Sequence, residues 1–527
     1  MRTYKSIFTI FICLFFGSFY ITAQKKINVK HADFLKGNKV VYGEDINVLV
    51  GNVKFTHETA TMFCDTAFLN KKENKLKAVG NIHIIQNDTL HLYGRRLNYD
   101  GNTGLAEVRE DVKLVNKDIV LTTDYLDFDR KNNFAYYFNN GKIVNKDNTL
   151  TSKSGYYYPD SDMAFYKDSV VVNNPKYTMF SDTLKYHTIT KVATIEGPTF
   201  IVSEKNTIYA ESGFYDTQND VALLKDNAYV DGEQLLKGDS IHYDRKKGIG
   251  EVFNSMELHD TTNNVIITGD YGFYNEISQD ALTTKNAVLM QIYNADTLFL
   301  HADTLVAVPL ENPNEKLIKA YRKVQYYRSD LQGRCDSMVF DSRDTTNTFY
   351  HDPIMWSLGN QLTSDEIKMY TKDEVLDKVD LIDRAFIISE EDTGRYNQIK
   401  GSSMTGFIKN NEIYKIDVNG NAQSIYYPMD KKDAIGVNKA ECSNMIIYLK
   451  QRMVSKINMQ VSPTGKMSPI LLVPDEELRL AGFYWLDMFR PKQKEDIFNW
   501  KELPKIDRGE DKSEYNLDNT YEDYKNQ

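Results

Sequence analysis

The chain is poor in the residues that metal and redox chemistry require. Its 527 residues hold four cysteines, nine histidines and three tryptophans. No CxxC, HxxxH or HExxH spacing occurs, so a structural zinc site, a zincin and a dithiol redox centre all lack their signatures. There is no GxGxxG fingerprint, P-loop or GxSxG elbow. The formal net charge is −10 and no basic stripe stands out, which argues against a nucleic-acid partner. Only 12 prolines interrupt the chain, and beyond the N-terminus no apolar run is long enough to span a membrane as a helix. What is abundant is tyrosine (35) and phenylalanine (26), set between recurrent Asn, Asp and Gly breaks. That is a β-rich composition.

The N-terminus, MRTYKSIFTIFICLFFGSFYITAQ, places Arg2 and Lys5 before an apolar stretch over Ile7–Ile21. A secretory signal peptide over 1–24 fits this pattern. An uncleaved anchor is the rival, although about 15 apolar residues is short for a span. Cys13 lies inside the stretch after Ile12, which does not suit a lipoprotein cysteine.

The rest of the chain repeats. Anchor positions fall at Asp65, Arg95, Asp124, Lys153, Asp182, Glu211, Asp239 and Asp270, at intervals of 28–31 residues. A looser series follows at Asp303, Asp336, Asp365, Ser402 and Ser443. The residue before each anchor is small in every rung, as in Cys64, Gly94, Ser181, Ala210, Gly238, Cys335 and Cys442. Two after the anchor stand Leu97, Leu126, Leu184 and Ile241. Four after it stand Tyr99, Phe128, Tyr186 and Tyr243. Five after it, Asn or Asp dominates, as in Asp100, Asp129, Asp216, Asp244 and Asn275. A second break recurs at Gly80-Asn81, Glu110-Asp111, Asp226-Asn227 and Asn254-Ser255. Each rung reads as strand, polar turn, strand, corner, strand, with one apolar face inward. One rung cannot bury that face alone, but stacked rungs can. The expected fold is all-β: an elongated twisted β-jellyroll, a solenoid-like stack of about thirteen rungs of about 29 residues.

The repeat disarms the apparent sites. Asp239, His242 and Asp244 sit within six residues and look like a metal or acid–base cluster. Asp239 is the ordinary anchor acid and Asp244 the ordinary turn acid. The His242 column holds Phe68, Asn98 and Tyr156 elsewhere, so it requires no ligand. Cys64, Cys335 and Cys442 all occupy the small column. Cys64 and Cys335 are nine rungs apart, roughly 40 Å at the spacing of paired strands, and a disulfide tolerates only about 7 Å between Cα atoms. No catalytic, metal or cofactor residues are expected.

The aromatic column admits two readings. It fills a closed core, or it borders an apolar trough left where two sheet faces do not close. Gly155, Gly213 and Gly272, two residues before Tyr157, Tyr215 and Tyr274, would leave such room. The expected lining is Leu97, Tyr99, Leu126, Phe128, Leu184, Tyr186, Ile241 and Tyr243.

A signal peptide followed by GNVKFTHETATMFCDTAFLNKKENKLKAVGNIHI (51–84), GRRLNYD (94–100), TDYLDFD (123–129) and GDSIHYD (238–244) resembles the OstA/LptA family of periplasmic lipopolysaccharide-transport proteins, and the first domain of the translocon LptD. The likeness is good over 38–300 and looser to about 460, and the chain looks like the long Bacteroidota-type form. The resemblance implies a twisted β-jellyroll that stacks head to tail with related modules, with lipid A acyl chains in its interior. It implies lipopolysaccharide, other Lpt-type modules and an outer-membrane translocon as partners, and a periplasmic place near the outer membrane.

The expected organisation is a signal peptide (1–24), jellyroll repeats (25–300), a looser continuation (301–460), a C-terminal cap or docking segment (461–504) and a disordered tail (505–527). The leading function is a non-enzymatic lipopolysaccharide bridge. A β-helical polysaccharide lyase would instead cluster its acids on one or two rungs. An adhesin or structural β-solenoid would have a fully packed interior.

Overall fold

The computed structural model describes residues 26–504, apart from 38–44 and the loop residues 87, 294–295, 313–314, 373–374, 393, 411, 431–432 and 452. The expected signal peptide and polar tail lie outside the described residues. The chain divides into two units, with the boundary between Lys191 and Val192. Both are built almost wholly of antiparallel strands, as a β-jellyroll stack requires.

In the first unit, Ile46–His57, Ala60–Asn70, Lys75–Gln86, Leu90–Asp100, Leu105–Asn116 and Ile119–Asp129 pair in sequence order. The repeat of about 29 residues is therefore two long strands and their two turns. The corners do not end strands here; they lie inside them. The register slips between Phe63 and Thr66, Val79 and Ile82, Tyr93 and Arg96, and Arg109 and Val112. Such bulges bend a strand and sharpen its twist. Stacked strand upon strand, they fold the sheet along a crease into two halves; over 134–158 the crease separates short strands, as at Asn139 and Asn140 between Phe134–Tyr137 and Gly141–Val144.

The crease has two kinds of member. On one strand of most hairpins it is a pair of residues in the left-handed region, such as Gly80 (φ 81°) with Asn81 (φ 41°), Asp226 (58°) with Asn227 (55°) and Asn254 (59°) with Ser255 (49°). That conformation selects Gly, Asn and Asp. On the other strand it is the small residue and its anchor acid. The two meet: Asn81 Nδ2 donates to Asp65 Oδ2 (2.9 Å), Asn227 to Glu211 (3.0 Å) and Asn286 to Asp270 (2.8 Å). A Cβ at Gly80 would overlap the Asp65 carboxylate, and one at Gly94 would overlap Val108 Cγ1. The anchor acids are thus clasps of the crease, and the small column makes room for an aliphatic side chain from the next strand.

The turn column behaves as read. Asp129 accepts from the N–H groups of Lys131 (2.9 Å) and Asn132 (3.0 Å), and Asp216 from those of Gln218 and Asn219. These are Asx turns, in which the side chain stands in for a backbone carbonyl. The backbone donors hold the carboxyls of Asp129 and Asp216 below the usual carboxylate range.

The second unit repeats the pattern from Val192–Val202 through Met453–Gln460. Its inner faces pack into two clusters, one that includes Ile195, Leu224 and Ile241 and one that includes Ala302, Ala320, Cys335, Met355 and Leu362. Some later rungs break at the crease, as where Thr346–Tyr350 and Ile354–Ser357 flank His351 and Asp352 (φ 62° and 54°). After Thr464–Ser468 the chain leaves the sheet, and to residue 504 it forms only short 3-10 turns. Cys64, Cys335 and Cys442 are free and buried, and burial pushes the Cys64 thiol up to about 12.

Candidate functional site

Alternation along a folded strand turns one set of side chains inward in each half. In Leu90–Asp100, Leu90 and Leu92 face in before the crease, and Leu97 and Tyr99 after it. In the first unit these two inner faces do not close fully. A narrow apolar cleft, partly open to solvent, lies between them. Leu90, Leu114, Leu121 and Ile143 line it from one half; Leu126, Ala135, Tyr157 and Tyr166 line it from the other. A second recess shares Leu90, Leu114, Leu126, Ala135 and Tyr157 with it, and adds Met62, Ile84, Leu92, Tyr99 and Phe128. The lining is largely aliphatic and aromatic.

Burial sets the electrostatics. The phenol of Tyr137 is driven up to about 12, and that of Tyr166 is also raised, by the loss of water around them. These hydroxyls stay neutral. Tyr137 packs its ring between Gly141 and Gly155, where any Cβ would overlap it, and bonds its hydroxyl to Ser152. So the room expected beside Gly155 is filled by a ring from the neighbouring strand. Met256 fills the space beside Gly272, and at Gly213 a Cβ would strike the Leu223 carbonyl. The cleft arises from the separation of the two halves, not from missing side chains.

The eight expected lining residues all lie on inner faces, at different depths. Leu97, Tyr99, Leu126, Leu184 and Ile241 are buried. Phe128, Tyr186 and Tyr243 are half-buried, so apart from Tyr99 the aromatic column is more exposed than the leucine column. Tyr99, Leu126 and Phe128 line the recesses. Tyr186 pairs with Ala164, itself a lining residue. Ile241 lies in a separate cluster of the second unit, and Tyr243 there donates to Glu276 Oε1 (2.8 Å).

Sequence reading missed a polar clasp at the rim. Arg130 Nη1 donates to His57 Nδ1 (2.8 Å) and Tyr99 Oη (3.0 Å), and Nη2 to Glu58 Oε2 (2.8 Å). The Tyr99 hydroxyl contacts His57 Nδ1 at 2.6 Å. Arg130 and Glu58 belong to turns 72 residues apart, so no single column of the repeat marks them.

A second arrangement was also missed, on the outer face of the second unit. Ile354 and Trp356 point away from the core that holds Met355, and pack with Leu486. Across this face runs 470–504, the greater part of the segment 461–504 for which the sequence left both cap and docking roles open. Gln398 donates to the Leu478 carbonyl (2.9 Å) and accepts from Leu480 N (2.9 Å). Gln361 does the same with the Tyr484 carbonyl (2.8 Å) and Leu486 N (2.7 Å). Gln332 accepts from Arg490 Nε (2.8 Å). Arg334 donates to the Lys501 carbonyl (2.7 Å) and lies 3.8 Å from the centre of the Trp500 ring. Gln332, Gln361 and Gln398 each stand four before an anchor in consecutive rungs, a signal present in the sequence. The tempting cluster at 239–244 is spent locally: His242 faces Glu251 (3.4 Å), and Asp244 caps its turn through Lys247 N (3.1 Å).

Among the described residues, no helix is long and apolar enough to cross a membrane, and no group of three or more His, Cys, Asp or Glu is placed to hold a metal ion. Creased antiparallel rungs around an apolar interior define a β-jellyroll repeat protein. Residues 24–182 and 207–297 match the family model described as OstA-like protein, and through them the chain belongs to the OstA-like family. Among solved structures it is similar to LptH, the LptA homologous periplasmic component of the conserved lipopolysaccharide transport device from Pseudomonas aeruginosa. That match has 13% identity and a TM-score of 0.21, and covers 27% of this chain and 97% of that one. No curated protein matches the chain.

Proposed function

We propose that the protein is a non-enzymatic carrier of lipopolysaccharide between membranes, working in the periplasm as part of a bridge to the outer membrane. The cleft of the first unit carries this reading: it is apolar, faced by both half-sheets, and all its lining residues but Thr188 lie within those matched by the OstA-like family. Acyl chains enter the cleft and sugars stay outside. Burial of apolar surface, at about 25 cal/mol per Å², supplies the affinity. The net charge of −10 gives no attraction to anionic sugars. Leu97, Tyr99, Leu126, Phe128, Leu184 and Tyr186 form the inner surface along which a chain moves in the first unit; Ile241 and Tyr243 continue the same columns in the second. Open strand edges would join related modules and an outer-membrane translocon by strand addition.

A photo-crosslinking residue at Leu126, with mass spectrometry of the lipid recovered from the mature protein, tests the proposal. Lipid A or lipopolysaccharide attached at Leu126, and not at exposed Val79, is expected. A protein that yields no lipid adduct at Leu126 would leave the rungs as structural solenoid.

A further inference from the structure

Arg130 is the one charged residue among those that line the second recess. Its side chain is only 10% exposed, and its Nε is buried without a partner. Arg130 Nη1 is committed to His57 and Tyr99, which fixes the plane of the guanidinium. Glu58 accepts from Nη2. A guanidinium binds carboxylate or phosphate best side-on, through two parallel N–H bonds. Glu58 therefore fills half of that fork, and the Nε half stands empty beside an apolar recess.

Glu58 is also the weaker-held partner. Its side chain is 38% exposed, on a turn residue with φ 55°. An exposed carboxylate gives up one ion pair at little cost, because water solvates it again. Arg130 cannot do the same, since a buried guanidinium left unpaired is costly. Exchange of one carboxylate for another anion keeps it paired throughout.

We infer that Arg130 is an anion-reading residue at the rim of the acyl cleft: it takes the carboxylate or phosphate of an amphiphile whose chain occupies the recess, and Glu58 is the built-in competitor that holds the place when the cleft is empty. This rests on the proposed acyl-binding role of the cleft and adds the polarity of the ligand. Tyr99 and His57 are positioning residues, since they fix the guanidinium.

The test uses the full mature chain and calorimetric binding of dodecanoate, dodecyl phosphate, 1-dodecanol and inorganic phosphate. The wild type is expected to bind one or both anionic amphiphiles at least tenfold more tightly than the alcohol, and inorganic phosphate not measurably. The ratio of acid to phosphate ester identifies which head group the site prefers. Arg130→Gln should reduce both anions to the level of the alcohol and leave alcohol binding unchanged. Glu58→Gln should tighten the anions several-fold without affecting the alcohol. Arg130→Lys keeps the charge but not the fork and should fall between. Equal affinity of anions and alcohol in the wild type, or a preference that survives Arg130→Gln, overturns the inference but leaves the acyl cleft standing. Inorganic phosphate binding as well as the ester makes Arg130 a simple anion site and also overturns it. Failure of all three amphiphiles in the wild type removes the acyl cleft itself. Alcohol binding by Arg130→Gln shows that the variant has kept its fold.

Discussion

The first unit leaves its interior partly open and its outer face bare. Tyr93 there is 37% exposed and stacks on His83, whose ring continues to Phe63. The second unit is finished differently. Around Ala302, Ala320 and Val324, at 0–1% exposure, its inner faces pack on each other, and the outer face of its later rungs is covered by 470–504. The rung is the same in both. What differs is which face has been finished, and by what: strand against strand inside the second unit, and a returning stretch of chain outside it. A repeat can therefore keep its crease and turns while its two faces are given separate tasks.

The sharpest way to break this comparison is to remove the covering segment. Ending the chain after Ser468 exposes the surface under Leu480, Leu486 and Ile497. At about 1.5–3 kcal/mol for each buried side chain, the loss is on the order of 5 kcal/mol, and it should fall on the second unit alone. The truncation also leaves Trp356 as the last tryptophan, since Trp485 and Trp500 are removed. Its emission should shift to the red; an unchanged blue emission would show that the segment is not what covers it.

Trp356→Ala in the full chain comes next. Trp356 is 1% exposed, and a large-to-small change there should cost about 3–5 kcal/mol. Denaturant unfolding measures it, and the equivalent change at exposed Tyr93 should cost well under half as much.

A matched pair sharpens the contrast between the interiors. Ala302→Leu overfills a closed core and should cost about 1–3 kcal/mol. Ala135→Leu grows into the cleft and should leave stability nearly unchanged while weakening amphiphile binding. Equal destabilisation by the two would mean that the cleft is not available space.

Gln361→Ala strands the Tyr484 carbonyl and Leu486 N and should cost about 1–3 kcal/mol. Limited proteolysis should then cut within 470–504 faster, with the first unit unchanged.

The smallest effect should be common to both units. The carboxyls of Asp129 and Asp216 are held low by backbone N–H donors. Their folded pKa lies below the unfolded value of about 3.9. The stability they contribute is present above that value and is lost as the pH falls through the folded values. Asp129→Asn and Asp216→Asn should flatten the acid limb of the stability curve alike; a change in one unit only would mean that the turns are not equivalent.

The stack, its period and its turn acids were legible because each is written many times, and a column that recurs survives noise at any one rung. The small column was legible as a close approach, although only the structure shows that Val108 fills the space beside Gly94. The corner was read as an interruption between strands, which it is in some rungs and not in others. Asn81 and Asn133 are both Asn at positive φ, one in a bend within a continuous strand and one in a tight turn. Only the pairing on either side separates them. Gln332, Gln361 and Gln398 were in plain register, but a column of three glutamines has no meaning until something lies across it. The Arg130–Glu58 clasp was beyond reach, because it depends on where two distant turns meet once the sheet has folded on itself.

The crease has a bearing on how such a chain changes length. Most hairpins bring their own left-handed pair, and several their own clasp, as in Asn81 with Asp65, and their own capped turn. None of these is borrowed from a distant rung. Duplication of a stretch of about 29 residues therefore inserts a finished unit, and its deletion removes one, with only the two flanking strands obliged to accept a new neighbour. Descent by copying whole hairpins leaves the bend of the sheet intact, whereas loss of a single residue at a crease would throw one strand's apolar side out to water.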